Sequence, residues 1–167
     1  MISQVNVDPS WSFSQCSAKD TSYVTHAYYT YPARFIPQLV RRLIYEHGTE
    51  AQVLADPFMG SGTTIVEGLV SQKISIGVDI NEIAFLVAQV KTTPLPSLKL
   101  VEVFTDLEKD LKKRLYTERA YFLQKSLESL KLHEKIDYWF RPAQKESLAI
   151  VLQRILEISD EPIRKFF

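Results

Sequence analysis

Apolar residues follow two kinds of spacing along this chain, and the change between them divides it. Residues 1 to about 30 have no clear period and end in the cluster Tyr28-Tyr29-Thr30-Tyr31. After Pro32, the residues Phe35, Leu39, Leu43 and Ile44 recur at helical spacing, and His47-Gly48 reads as the stop. Gln52-Val53-Leu54-Ala55-Asp56 is a short apolar run ending in an acid, the form of a buried parallel strand. Pro57 to Gly62 reads as a turn, and helical spacing restarts over Thr63 to Val70. Ile74 to Asp79 is a second strand pattern, again ending in Asp. Asn81 can cap a third helix running to about Thr92, with Ala84, Val87 and Ala88 inward. Pro94 and Pro96 close that unit.

Beyond Pro96 only the helical period remains. Leu100, Phe104, Leu107, Leu111 and Leu115 step by three and four, predicting a long amphipathic helix that continues through Phe122, Leu123, Leu127 and Leu130. Asp137 to Pro142 interrupts it. Another helix carries Leu148, Val151, Leu152, Ile155 and Leu156, and Asp160-Glu161-Pro162 signals the start of one more. The expected fold class is α/β, with few parallel strands in residues 1–97 and a helix-rich extension in residues 98–167.

Composition narrows this picture. The chain has 167 residues, 46% hydrophobic and 11% aromatic, enough for a real core and too apolar for a disordered segment. The apolar runs are only a few residues long, so no membrane span is expected. The N-terminus has neither a basic nor an apolar signal region, and one cysteine, Cys16, excludes a disulfide framework. A cytoplasmic protein is expected. The 20 basic and 20 acidic side chains cancel, unlike a self-sufficient nucleic-acid binder. Residues 1–97 carry 6 basic and 8 acidic groups and residues 98–167 carry 14 and 12, so neither half holds a large basic excess.

The chemistry is concentrated in Asp56-Pro57-Phe58-Met59-Gly60-Ser61-Gly62-Thr63-Thr64, between a strand and a helix. Two glycines one residue apart allow a sharp turn that lies close to a ligand, and the following helix start offers unpaired N–H groups. Asp79, 17 residues beyond Gly62, ends the next strand, where a doubly wound fold sets a carboxylate against ribose hydroxyls. A phosphate loop would need a Lys after Gly62, and a dinucleotide fingerprint would need a third glycine where Ile65 stands. Asp56 would repel a pyrophosphate. It suits the amino group and sulfonium of S-adenosylmethionine, while a glycine turn without a ligand is the alternative.

Asp56 to Thr64 resembles the cofactor motif of DNA methyltransferases that modify adenine-N6 or cytosine-N4. His26 to Pro37 is similar to that family's other cofactor-side motif, and Gly77-Val78-Asp79-Ile80-Asn81 also resembles its relatives. The resemblance covers roughly residues 26–95 and implies a Rossmann-like sheet and S-adenosylmethionine as cofactor. By position it implies that Asp56, Phe58, Gly60, Ser61 and Gly62 line the methionine end, with Thr63 hydrogen-bonding nearby. Asp79 would hold the ribose, and Ile80 or Asn81 would flank adenine. Ala33, Arg34 and Phe35 would close the other side near the cofactor carboxylate, a partner a guanidinium suits; a surface charge is the other reading of Arg34.

The family's catalytic motif is Asp, Asn or Ser followed by Pro-Pro and Tyr or Phe, which holds a flipped-out base. The sequence has no Pro-Pro pair. The expectation is therefore the cofactor-binding part of a larger or split enzyme of restriction–modification type. It would be inactive alone and would reach DNA through a complementary catalytic chain or self-association covering an open sheet edge. A non-catalytic partner subunit and an RNA or other amino-substrate methyltransferase remain alternatives. Lys109 to Arg114 reads as a solvated face, and Tyr138-Trp139-Phe140 as core or interface packing rather than a base-stacking surface. His26, His47 and His133 have no metal-ligand spacing, so no metal is expected. Of the three, His26 stands inside the family-like motif.

Overall fold

The computed structural model describes residues 8–130, 133 and 135–167. They divide into two compact units, with the boundary between Pro94 and Leu95.

The first unit contains α1 (Pro37–His47), β1 (Val53–Asp56), α2 (Thr63–Val70), β2 (Ile74–Gly77) and α3 (Glu82–Thr92). β1 and β2 pair in parallel, Val53 opposite Ile74 and Asp56 opposite Gly77. Parallel pairing needs a crossover, and α2 supplies it, packing on both strands with α1 and α3 against it. Close approach is possible because Gly68 has no side chain; a Cβ there would lie 1.9 Å from Ser75 Oγ. α3 begins as its sequence indicates: Asn81 accepts from the Ile83 N–H at 3.0 Å, with Ala84 and Ala88 buried.

The strands are not buried on both faces, contrary to their apolar pattern. Leu54, Asp56, Ser75 and Gly77 are half-buried, whereas Val53, Ala55, Ile74 and Ile76 are exposed. One crossover helix covers one face of a two-stranded sheet; the alternate side chains stand on the other. Phe35 also falls outside its predicted helix. Pro37 occupies the first turn and Ile36 is extended, so α1 buries Pro37 and Val40 together with the expected Ile44, while Leu43 is exposed.

The second unit is helical: α4 (Ser97–Lys112), α5 (Arg119–Ser129), α6 (Ile136–Trp139), α7 (Pro142–Leu156) and α8 (Glu161–Phe166). α4 and α5 both pack on α7, whose Ala149 and Ile150 are fully buried. The single long helix expected from Leu100 to Leu130 is broken by a π turn at Lys113–Thr117, after which Glu118 leaves helical geometry at φ −120°. An extra residue in a turn rotates the following face by roughly 100°. Arg114 is thereby buried, with its guanidinium 2.6 Å from Glu157, 2.9 Å from Asp110 and over the Phe122 ring. The run Lys109 to Arg114 is thus not wholly a solvated face. Asp110 also accepts from Arg154 Nε at 2.7 Å, joining α4 to α7. The Asp137–Pro142 interruption overlaps α6, and Tyr138 and Trp139 are exposed, so core packing does not hold them. Asp160 caps α8 through the Ile163 N–H at 3.1 Å, as the acid-then-proline signal indicates.

Candidate functional site

At the end of β1 the chain turns through Pro57 to Gly62 into α2. Gly60 and Gly62 have φ of +50° and +79°, a region that side chains avoid. Gly62 is needed twice over, because a Cβ there would sit 2.8 Å from the Ala88 Cβ of α3. It also precedes α2 without any side-chain cap. Among the described residues, the N–H groups of Ser61, Thr63 and Thr64 meet no acceptor. That is the donor array of an uncapped helix start.

Asp79 follows β2 by two residues and closes on this loop. Its Oδ2 accepts the Gly60 N–H at 2.9 Å and its Oδ1 accepts the Asn81 N–H at 2.8 Å. Each carboxylate oxygen keeps further accepting capacity. Asp56 Oδ1 accepts the Phe58 N–H at 3.0 Å. The structure therefore gathers Asp56, Phe58, Gly60, Ser61, Gly62, Thr63, Asp79, Ile80 and Asn81 at the carboxyl ends of the strands. Ligands of open α/β sheets bind at that end. Phe58 and Ile80 are 87% and 102% exposed, leaving apolar surface beside the acids. A hollow of about 480 Å³ lined by Gln52, Gln72 and Lys73 lies at the opposite, amino ends of the strands.

The segment before α1 reaches the same loop through Tyr31, a residue the sequence did not single out. Its ring would lie 3.4 Å from a Cβ on Gly60, and its hydroxyl accepts from Asn81 Nδ2 at 3.2 Å. Ala33 holds φ +56°, a conformation that costs a non-glycine residue roughly 1–2 kcal/mol. Arg34 is half-buried and precedes α1; its Nη1 donates to the carbonyls of His26 and Tyr29. It is more than a surface charge. Phe35 is exposed.

Two buried charges under the loop were missed. Glu67, in the middle of α2, is fully buried and accepts from His26 Nε2 at 2.8 Å, the Tyr23 hydroxyl, and Arg41 Nε at 3.1 Å. Burial alone would raise this carboxyl. The hydrogen bonds from His26, Tyr23 and Arg41 outweigh it and hold Glu67 below its ordinary value. Lys91, in the last turn of α3, donates from Nζ to the Ser61 carbonyl at 3.0 Å and to Ser61 Oγ at 3.3 Å. Both residues are buried, so the Ser61 hydroxyl is engaged in the interior. Burial, and then the Arg34 charge, draw Lys91 down to about 8. The available signal was a lone acid among Ile65, Val66, Gly68 and Leu69 on a short apolar helix. Among the described residues no group of His, Cys, Asp or Glu could hold a metal, and no helix is long and apolar enough to cross a membrane.

The site is a parallel βαβ unit with a glycine turn after the first strand and an acid two residues beyond the second. The profile of the DNA methylase family that comprises N6 and N4 methyltransferases matches residues 2–89. The chain belongs to that family. It is similar to the type II methyltransferase M.MvaI of Kocuria varians, 35% identical over 153 residues, which cover 89% of this chain and 33% of that protein. It is also similar to the type II methyltransferase M.MjaII of Methanocaldococcus jannaschii, 35% identical over 96 residues, 58% of this chain and 18% of that protein. The chain thus spans a third or less of the length of these curated relatives. No solved structure matches it.

Proposed function

We propose that residues 1–97 form the S-adenosylmethionine-binding part of a restriction–modification methyltransferase that methylates an exocyclic amino group of adenine or cytosine in DNA. The observation that carries this reading is the Asp79 carboxylate bonded to the Gly60 N–H, which joins the glycine turn to the acid of the second strand. Asp79 offers its remaining lone pairs to the ribose hydroxyls, with Ile80 and Asn81 beside the adenine. Asp56, Phe58, Gly60, Gly62 and Thr63 line the methionine end, where the Asp56 carboxylate matches a cationic ligand. Ser61 contributes through its main chain. Ala33, Arg34 and Phe35 close the carboxylate side, Arg34 through the guanidinium nitrogens other than Nη1.

When bound, S-adenosylmethionine supplies a methyl group on a sulfonium, and the base amino nitrogen is the acceptor. The chain positions the donor; the base clamp and DNA reader belong to a complementary catalytic part. The exposed apolar face of Val53, Ala55, Ile74 and Ile76 supports such a part as partner, because covering it removes apolar surface from water. A cytoplasmic location follows for an enzyme acting on cellular DNA.

Calorimetric titration of the 167-residue chain with S-adenosylmethionine tests the cofactor reading, with Asp79→Ala as control. Binding by the wild type and a loss of at least tenfold in the variant are expected; equal affinities contradict the assignment. Transfer of labelled methyl groups to DNA is expected only when a catalytic part is added. Turnover by the isolated chain would overturn that division of labour.

A further inference from the structure

Lys91 has no role in the reading above. Ala88 and Lys91 are three positions apart and share one face of α3. Ala88 is small enough to meet Gly62, and Lys91 reaches Ser61 between the two left-handed glycines. Lys91 is 3% exposed and Ser61 1%. Among the described residues no carboxylate forms an ion pair with Lys91; its two acceptors are the neutral oxygens of Ser61. The charge that acts on it is Arg34, of the same sign.

A buried ammonium without an anion is a poor stabilising device, since an apolar side chain of equal shape would fill the space without desolvating a charge. What the ammonium alone supplies is a charge-assisted grip on a carbonyl. The Gly60-Ser61-Gly62 turn is then held at three points. Gly60 N–H goes to Asp79, Gly62 N–H to the Met59 carbonyl at 2.9 Å, and the Ser61 carbonyl to Lys91. Glycines would otherwise leave that backbone free to sample other shapes. The N–H groups of Ser61, Thr63 and Thr64 are what remains for a ligand.

We propose that Lys91 is a positioning residue of the cofactor site: its buried ammonium fixes the glycine turn through the Ser61 carbonyl, so that the turn receives the methionyl end of S-adenosylmethionine. This rests on the cofactor reading of the loop. It concerns the methionyl end alone, because the ribose and adenine side is held by Asp79 and its neighbours.

The test titrates the 167-residue chain with S-adenosylmethionine and, separately, with adenosine, which lacks the methionyl end. Lys91→Met is expected to weaken S-adenosylmethionine roughly tenfold or more, the scale of a lost charged hydrogen bond, and to leave adenosine within about twofold. Unchanged affinity for S-adenosylmethionine overturns the proposal, and so does an equal loss for both ligands, which marks general damage. Asp79→Ala separates the two levels: if it weakens binding while Lys91→Met does not, only the role of Lys91 falls. A wild-type chain that binds no S-adenosylmethionine removes the cofactor reading and this role together. If Lys91→Met does not fold, Lys91→Gln is held to the same criteria with the same two ligands.

Discussion

The Gly60 N–H donates to Asp79 Oδ2 at 2.9 Å, although the two residues are 19 apart in sequence. One carboxylate thus braces the glycine turn, and in the proposed function it is also the group that receives the ribose hydroxyls. Asp79→Ala removes this bond and the 2.8 Å bond to Asn81 together. The expected loss is about 1–2 kcal/mol of stability, modest because the group is half-exposed. Urea unfolding measures that part, and Asp79→Asn, which keeps the shape and one acceptor, should lose less.

Gly62→Ala should be more damaging than an ordinary glycine replacement. The residue has φ +79°, and the new methyl would meet Ala88 at 2.8 Å. Left-handed strain and overpacking together are expected to cost about 2–4 kcal/mol. A drop in thermal midpoint checks the first effect, and loss of S-adenosylmethionine binding checks the displacement of α3 from the loop.

Glu67 predicts acid sensitivity. Its folded-state value lies below the unfolded one despite burial, because His26, Tyr23 and Arg41 bond its charged form. Such a carboxylate contributes fully above about pH 5, and the contribution is lost as pH falls through the folded value. Wild-type stability should therefore decline below that point, and Glu67→Gln should flatten the decline. At neutral pH Glu67→Ala should cost about 3 kcal/mol, since it strips the shared partner from buried His26. Equilibrium denaturation across pH 3–7 reads both.

Lys91 predicts a slope of the same sign in the alkaline range. Its folded-state value is drawn down to about 8 from the ordinary 10.5, so the unfolded chain binds the extra proton between those values. Stability should rise with pH across that window relative to Lys91→Met, which has no such group. The variant should equal or exceed the wild type below pH 8. A parallel dependence in the two proteins would contradict the burial of a charged amine.

In the helical unit, Asp110 accepts from Arg114 at 3.0 Å and Arg154 at 2.7 Å. Asp110→Ala leaves two mostly buried guanidiniums short of a partner. A loss of about 1–2 kcal/mol is expected, limited by the part of Asp110 that water reaches. The effect should shrink when Arg154 is first replaced by Met, and a double-mutant cycle measures that coupling.

Much of the first unit was legible because its signals are local. Asn81 caps α3 two residues away, Pro37 sets the first turn of α1, and the two glycines mark the turn by their own backbone freedom. The burial of the strands was misread because an apolar run reports affinity for a partner surface, and here α2 covers only one side. The break at Lys113–Thr117 was hidden for a related reason. Leu111, Leu115 and Phe122 keep helical spacing, while the π turn is stabilised by Arg114 meeting Glu157, 43 residues away.

By itself, the sequence determined the order of strand, glycine turn, helix, strand and acid, since each depends on neighbours a few residues apart. Only the tertiary structure decided that Glu67 would join His26, Tyr23 and Arg41, and that Lys91 would hold Ser61. Those pairs lie 41 and 30 residues apart for His26 and Ser61. Whether a charge is buried, and what bonds it there, is set by packing in space, to which hydrophobic period is blind.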